Sequence, residues 1–193
     1  MANEFGLFVT TDTTKCTGCK ACEMACFQVH NEGRNKVGRT VGTITVPVTP
    51  KLYVTVIPTA SMPIQCKHCE NSPCRAVCKQ FAISKIGRQI IVDEAKCIGC
   101  KDCLVACPFG AVTLLPLYSD GQPARQAGSP DGKVAASKCD LCAGVPEGPA
   151  CVRVCPNKAL SLNDIDEERK RKNIAAAEAL AVVNAGAPER RAL

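Results

Sequence analysis

Sixteen cysteines, about one residue in twelve, are the feature that most constrains this 193-residue chain. They fall into four quartets, and none is left over. The quartets are Cys16, Cys19, Cys22 and Cys26; Cys66, Cys69, Cys74 and Cys78; Cys97, Cys100, Cys103 and Cys107; and Cys139, Cys142, Cys151 and Cys155. Such a density indicates either a disulfide framework or metal coordination. Residues 1–14 lack the basic and apolar pattern of a secretory leader. We therefore expect a reduced, cytoplasmic setting in which the cysteines are metal ligands.

The spacing within the quartets separates iron–sulfur from zinc. The first and third quartets have the C-x2-C-x2-C-x3-C run of bacterial ferredoxins, in which three cysteines hold one four-iron cluster and the fourth ligates another. Zinc ribbons instead use two C-x2-C knuckles separated by a longer spacer. The spacing favours [4Fe–4S] clusters, with zinc as the alternative.

An internal repeat relates the four motifs. The stretches "TKCTGCKACEMAC" and "AKCIGCKDCLVAC" agree at every cysteine and at four other positions. The second and fourth motifs share a longer, proline-containing insert before their last two cysteines. The compact motifs therefore alternate with the longer ones along the chain, which is typical of a duplicated two-cluster ferredoxin.

The linkers between motifs bear on which motifs share a module. Eighteen residues separate Cys78 from Cys97, against 39 between Cys26 and Cys66 and 31 between Cys107 and Cys139. The short linker also has a hairpin pattern, with a turn at Gly87. The second and third motifs are therefore predicted to form one central module, and the first and fourth to close an outer module across it.

The four motifs together, including "HCENSPC" and "KCDLC…GPACVRVCPNKAL", resemble those of four-cluster ferredoxin-like electron-transfer subunits over residues 5–165. Such subunits accompany molybdopterin oxidoreductases and hydrogenases, among them the formate hydrogenlyase and formate dehydrogenase–hydrogenase complexes; another relative is the ferredoxin-like partner of carbon monoxide dehydrogenase. The resemblance implies an α+β fold of two nested dicluster modules, four [4Fe–4S] clusters, and a catalytic partner of formate dehydrogenase or hydrogenase type.

The resemblance also implies four ligand sets, each with three cysteines from one motif and one from its partner motif. The outer sets are Cys16, Cys19 and Cys22 with Cys155, and Cys139, Cys142 and Cys151 with Cys26. The central sets are Cys66, Cys69 and Cys74 with Cys107, and Cys97, Cys100 and Cys103 with Cys78.

The domain organisation follows from these motifs. The outer module is predicted to span residues 1–60 and 120–163, the central module residues 61–119, and a helical extension residues 164–193. Residues 40–58 are rich in Val and Thr and predict a β insertion of two strands split near Pro50. The Gly- and Pro-rich residues 119–132 predict a mobile loop.

Three single features complete these predictions. Acidic, then basic, then apolar residues from Asp164 to Val183 predict a helix that Gly186 and Pro188 end; it could pack on its own domain, on another subunit or on copies of the chain. The first and second motifs lack the proline that follows the last cysteine, which predicts weaker local order at Phe27 and Lys79. His30 and His68 are expected to pack or hydrogen-bond beside clusters.

The formal charge of +6 alone would suggest nucleic acid or an anionic membrane as a partner. Four clusters at −2 each bring the loaded chain to −2, so the basic residues compensate for clusters and no nucleic acid is expected. No apolar run of eighteen residues predicts a membrane span.

No nucleophile–base pair, phosphate loop or open metal motif predicts catalysis by this chain, so the expected function is that of a non-catalytic electron-transfer subunit. Three alternatives stay open: a free-standing carrier, a structural subunit that assembles a multi-enzyme filament through the C-terminal helix, and a zinc-stabilised interaction module.

Overall fold

The computed structural model of the chain describes residues 6–32, 46–125 and 132–185. Within these ranges it contains short strands joined by loops and small helices. The strands are β1 (Leu7–Thr11), β2 (Tyr53–Ile57), β3 (Ala60–Ile64), β4 (Ile83–Ile86), β5 (Gln89–Val92), β6 (Thr113–Pro116), β7 (Tyr118–Ser119), β8 (Gln122–Pro123), β9 (Val134–Ser137) and β10 (Leu160–Asp164). The helices are α1 (Ala21–Asn31), α2 (Pro73–Ala76), α3 (Asp102–Ala106), α4 (Ala150–Val154) and α5 (Ile165–Ala185). The predicted mixture of helix and strand with a C-terminal helix is confirmed.

The strands of the described residues pair into five two-stranded antiparallel sheets. Three are hairpins of consecutive strands: β2 with β3, β4 with β5, and β7 with β8. The other two pairs join distant segments. Strand β1 pairs with β10 in a register that sets Val9 opposite Leu162, and β6 pairs with β9. The strands that flank the cysteine-bearing region, β1 before it and β10 after it, are thus hydrogen-bonded to each other.

One apolar cluster packs around the first and fourth motifs. Helix α1 packs against α4, and the buried side chains of Val9, Leu52 and Leu160 fill the space beside them. Leu141 and five buried cysteines complete the cluster; the cysteines are Cys22, Cys26, Cys66, Cys139 and Cys151. A chain with few aromatic residues therefore uses cysteine as part of its core, as free cysteine commonly does.

A second apolar cluster packs around the second and third motifs. Helices α2 and α3 contact each other, and Ile83, Ile90 and Val112 are buried beneath them. The first two of these side chains come from the hairpin of β4 and β5, which confirms the predicted turn at Gly87, where φ is +56°. Strand β9, which lies beyond the predicted boundary at residue 120, pairs with β6 and brings Ala136 into this same cluster.

Local order at Phe27 differs from the prediction. Helix α1 continues past Cys26 to Asn31, whereas α3 and α4 end just before the Cys-Pro pairs of the third and fourth motifs. Phe27 is almost fully buried on this extra length of helix. The residue that replaces proline therefore extends the helix and contributes to the core instead of loosening the segment.

The predicted β insertion and the predicted mobile loop both differ in part from the structure. Strand β2 is the second of the two strands expected in residues 40–58; residues 46–50 are irregular, and residues 40–45 lie outside the described ranges. The loop expected over residues 119–132 holds the small hairpin of β7 and β8, which is possible because Asp120 and Gly121 both adopt positive φ in the two-residue turn. Residues 126–131 of that loop lie outside the described ranges.

Helix α5 extends away from the rest of the molecule. Its first turn contacts β10, and Asp166 is buried there, but every described side chain from Arg169 to Val183 is exposed. The predicted helix is confirmed, and its described part does not lie along its own domain. No helix of the described ranges is long and apolar enough to cross a membrane.

Candidate metal centres

The loops of the first and third motifs fold in the same way. In each, a glycine (Gly18 or Gly99) and the lysine two residues later adopt left-handed backbone conformations with φ between 60° and 74°. A Cβ atom on Gly18 would lie 3.2 Å from Ser61 Oγ, and one on Gly99 would lie 3.2 Å from Val134 O. Glycine is therefore needed for the turn and for the close approach of β3 or β9. The turn brings two cysteines of the loop and a third in the first turn of the helix, Cys22 or Cys103, to the same cavity.

Two cavities are each lined by four cysteines drawn from two motifs. The first has about 340 Å³ of empty space and lies between the first-motif loop and the end of α4. Its cysteines are Cys16, Cys19, Cys22 and Cys155. The second has about 350 Å³ and lies between the third-motif loop and the segment after α2. Its cysteines are Cys78, Cys97, Cys100 and Cys103.

The remaining outer cysteines form a more deeply buried group. Burial raises the pKa of Cys26 to about 12, and the neighbouring thiols of Cys142 and Cys151 add to this rise. Burial likewise raises the pKa of Cys139 and of Cys151 to about 12. A bare thiolate is unfavourable at these positions, so these sulfurs can act as thiolate ligands only where a bound metal cation compensates their charge.

The remaining central cysteines are also neighbours. Burial raises the pKa of Cys69 and of Cys74, and both thiols are further affected by Cys66 and Cys107. All sixteen cysteines lie within the described ranges, and each is a free thiol. The structure therefore shows two of the four predicted ligand sets lining cavities, and the other two sets stay a prediction.

Backbone N–H groups point at several of these sulfur atoms. Each of the six bonds joins an amide nitrogen to a cysteine Sγ at 3.3–3.4 Å. The donors are Lys51, His68, Ala136, Leu141, Ala150 and Ala159; the respective acceptors are Cys26, Cys66, Cys97, Cys139, Cys142 and Cys155. Such bonds stabilise anionic sulfur and tune the potentials of iron–sulfur clusters. An all-thiol donor set with N–H support fits [4Fe–4S] clusters.

A buried polar network supports the group that contains Cys26. Asp140 lies between two cysteines of the fourth motif, and its carboxylate is 2.9 Å from His30 Nε2 and 2.9 Å from Lys51 Nζ. His30 Nδ1 is 2.7 Å from the carbonyl oxygen of Cys26, and the amide of Cys142 donates to Asp140. The expectation that His30 hydrogen-bonds beside a cluster site agrees with these contacts.

Sequence reasoning missed Asp140 and Lys51. Burial alone would raise the pKa of Asp140, but the hydrogen bond from His30 and the charge of Lys51 outweigh it and hold that pKa below its usual value. The position of Asp140 inside the C-x2-C turn was the available signal, because a buried carboxylate beside thiolates requires cationic partners.

Replacing Asp140 with Asn is expected to weaken this region. Lys51 would lose its carboxylate partner in a mostly buried site, which typically costs about 3 kcal/mol. Cluster absorbance should then disappear at lower denaturant concentration than in the wild type. Because the native pKa of Asp140 is lowered, its contribution is complete above about pH 4 and is lost only as the pH falls through the native value.

The matched control is Glu168→Gln on α5, which removes a partly exposed carboxylate that pairs with exposed Arg171. Its denaturation curve should overlay that of the wild type. Equal curves for Asp140→Asn and the wild type would show that the network contributes no stability.

Comparison with known proteins identifies the class. A family described as "4Fe-4S dicluster domain" matches residues 57–115, and a second family with the same description matches residues 96–159. The two matches together span the second, third and fourth motifs. They define two dicluster ferredoxin-like domains.

Three full-length relatives from Escherichia coli (strain K12) extend the match to most of the chain. The electron transport protein HydN is 35% identical over 173 residues, which cover 86% of this chain and 95% of the relative. Hydrogenase-4 component A is 37% identical over 195 residues (88% and 90%), and formate hydrogenlyase subunit 2 is 35% identical over 187 residues (86% and 87%). The chain also matches AegA at 39% identity, although it spans only 21% of that protein's length.

The chain belongs to this family of 4Fe-4S dicluster electron transport proteins. It carries four [4Fe–4S] clusters, and its role is electron transfer without catalysis of its own.

Proposed function

We propose that this chain is the electron-transfer subunit of a complex whose catalytic subunit is of formate dehydrogenase or hydrogenase type. The observation that carries the proposal is that two cavities are each lined by four cysteines from two motifs, in a molecule whose sixteen cysteines are all free thiols. The names of the relatives, hydrogenase-4 component A and formate hydrogenlyase subunit 2, support this type of partner. A cytoplasmic location agrees with the free thiols.

The four clusters are held by nested motif pairs, as the resemblance implies: the first motif with the fourth, and the second with the third. The pairing of β1 with β10 and the packing of α1 on α4 support the outer pair, and the packing of α2 on α3 supports the central one. Two of the four ligand sets coincide with the cysteines that line the two cavities. The corresponding modules are residues 1–60 with 120–163 and residues 61–119, with β9 adding a strand to the central module.

The four clusters form a line with two accessible ends. Cys19 and Cys100 are exposed, and each belongs to one of the two cavity groups. Cys66 and Cys139 are buried in one apolar cluster, where the outer and central groups approach each other. Electrons enter at one exposed end, pass the junction at Cys66 and Cys139, and leave at the other end. The protein holds the thiolates, excludes water and orients N–H donors; the clusters supply one-electron redox chemistry.

The test of the partner is a native mass measurement on the chain isolated without dissociation. A stable complex with a molybdenum- or nickel-iron-containing subunit supports the proposal. A chain that runs alone, yet exchanges electrons with several such enzymes, would replace it with the free-carrier alternative.

Metal content distinguishes electron transfer from a zinc-stabilised module. Anaerobically isolated chain is expected to hold about sixteen iron and sixteen acid-labile sulfide, with zinc below about a tenth of the iron. Plasma emission spectrometry and a sulfide assay measure both. About four zinc ions per chain without sulfide would refute the iron–sulfur assignment.

A second candidate function, assembly of a larger particle, is favoured by the exposure of α5. Ile174, Leu180 and Val182 are each more than half exposed, on a helix that leaves the body of the molecule. We propose that the apolar second half of α5 contacts another polypeptide of the complex or a second copy of the chain. This function is compatible with electron transfer.

A further inference from the structure

A fully buried lysine lies where the outer and central cluster groups meet. Lys138 is only 2% exposed, although lysine is rarely buried without a charged partner. Its Nζ donates hydrogen bonds to the carbonyl oxygen of Ile90 on β5 and, at 2.9 Å, to that of Cys139. The side chain therefore ties the central hairpin to the fourth motif.

The partners of Lys138 do not neutralise its charge. Both are neutral carbonyl groups, and no carboxylate within residues 6–32, 46–125 and 132–185 forms an ion pair with it. The nearest carboxylate in sequence, Asp140, is already paired with Lys51 and His30. Burying an ammonium group this way is unfavourable unless other negative charge lies close by.

That negative charge is on the second motif. Ile90, whose carbonyl oxygen accepts the hydrogen bond from Lys138, donates its own amide to His68 Nδ1, and the amide of His68 donates to Cys66 Sγ, so the ammonium group lies beside the second motif. In a buried environment, two charges interact several times more strongly than at the same separation in water.

The histidine of the second motif does not share this role. His68 is 2% exposed, and its Nδ1 accepts a hydrogen bond of 2.9 Å from the amide of Ile90, so the ring bonds as a neutral group. Burial and the neighbouring Lys138 lower its pKa to about 3. Among the described residues Lys138 is thus the fully buried cation of this junction, whereas Lys67, which donates to the carbonyl oxygen of Val9, is only half-buried.

We infer that Lys138 raises the reduction potential of the cluster held by Cys66, Cys69, Cys74 and Cys107, so that this cluster is reduced before the two end clusters. The inference rests on the proposed ligand sets. Reduction adds one electron, and therefore one negative charge, to a site that already faces the ammonium group. The cation stabilises the reduced form more than the oxidised form, and no proton needs to move. An electron then rests inside the molecule, away from solvent, until a partner accepts it.

The direct test is an anaerobic redox titration followed by electron paramagnetic resonance, on wild type and on Lys138→Met, which keeps an unbranched side chain one atom shorter and removes its charge. At a fixed potential near the midpoint, the ratio of reduced to oxidised second-motif cluster should fall at least tenfold, which is 59 mV for one electron. In Lys138→Arg, which keeps the charge, the reduction potential of this cluster should shift by less than half as much.

The matched control is Lys133→Met. Lys133 also donates to a backbone carbonyl, that of Ala95, but this contact is exposed to solvent. Water screens its charge, so all four potentials should stay at their wild-type values. Identical titrations of Lys138→Met and wild type, both with full iron content, would overturn the inference.

A second measurement does not depend on the stability of Lys138→Met. Wild type reduced by one electron per chain should show one dominant cluster signal. Cys66→Ser should change that signal, because serine alters a ligand of this cluster, whereas Cys19→Ser and Cys100→Ser should not. A first signal that responds to Cys19→Ser or Cys100→Ser contradicts the inference. If the variants in that case still have full iron content and still form the complex, the inference about Lys138 is wrong but the proposed function is not contradicted.

Discussion

The double variant Cys19→Ala/Cys155→Ala is expected to lose one cluster and to keep about twelve iron per chain. In the nested arrangement both residues are ligands of the same cluster, as their common cavity suggests. The second substitution therefore adds little to the loss that the first has caused. Such non-additivity is the expected behaviour of two residues that act as one unit. Iron and sulfide analysis of the two single variants and the double variant measures it.

Two further double variants provide the controls. Cys19→Ala/Cys100→Ala removes ligands of two different clusters under either arrangement, so its iron loss should be the sum of the single losses. Cys100→Ala/Cys155→Ala should also be additive if the modules are nested. In a side-by-side arrangement, with the third motif paired to the fourth, Cys155 would share a cluster with Cys100 and not with Cys19. The iron losses would then be additive in Cys19→Ala/Cys155→Ala and non-additive in Cys100→Ala/Cys155→Ala, and this result would exclude nesting.

Much of the fold was predictable because cysteine spacing and turn chemistry are local. The three-cysteine loops, the hairpin at Gly87 and the helix after Asp164 each depend on residues within one short stretch. The structure places all three where the sequence indicates. The number and type of clusters also follow from local spacing, which is why the dicluster domains match the prediction.

The features that were missed depend on tertiary contacts. Nothing local identifies Lys51 as the partner of Asp140, since the two residues lie 89 positions apart and meet only when the outer module closes. Lys138 looks like a surface residue in sequence, and only the packing of β5 against the fourth motif buries it. Phe27 was misjudged for the same reason: its burial depends on the tertiary packing around α1, which local spacing does not show.

Under the proposed function, the buried lysine and the exposed end cysteines together explain how one chain would pass electrons between two partners. The end groups contain exposed thiols and meet solvent, whereas the junction is apolar and closed. A cluster at the junction responds to fixed protein charges, because little water is there to screen them. The protein can thus set the reduction potential of the cluster at the junction independently of the partner that binds at either end.

Removal of residues 170–193 is expected to abolish assembly with the partner while leaving all four clusters in place. Arg169 is retained because it bonds Asp166, whose buried carboxylate anchors the first turn of α5. The described residues that are removed are exposed, so the body of the molecule loses no core contact. Iron analysis should match the full-length chain, and light scattering should report only the isolated subunit.

A matched pair of point variants separates the apolar surface from the helix itself. Leu180→Glu and Asn173→Glu each add one negative charge to the same helix, but only the first interrupts the apolar half. Leu180→Glu should weaken association at least tenfold, about 1.4 kcal/mol, because one buried leucine contributes about that much or more. Asn173→Glu should assemble normally. If the truncated chain and Leu180→Glu both assemble like the full-length chain, the partner contacts another surface and α5 has no role in assembly.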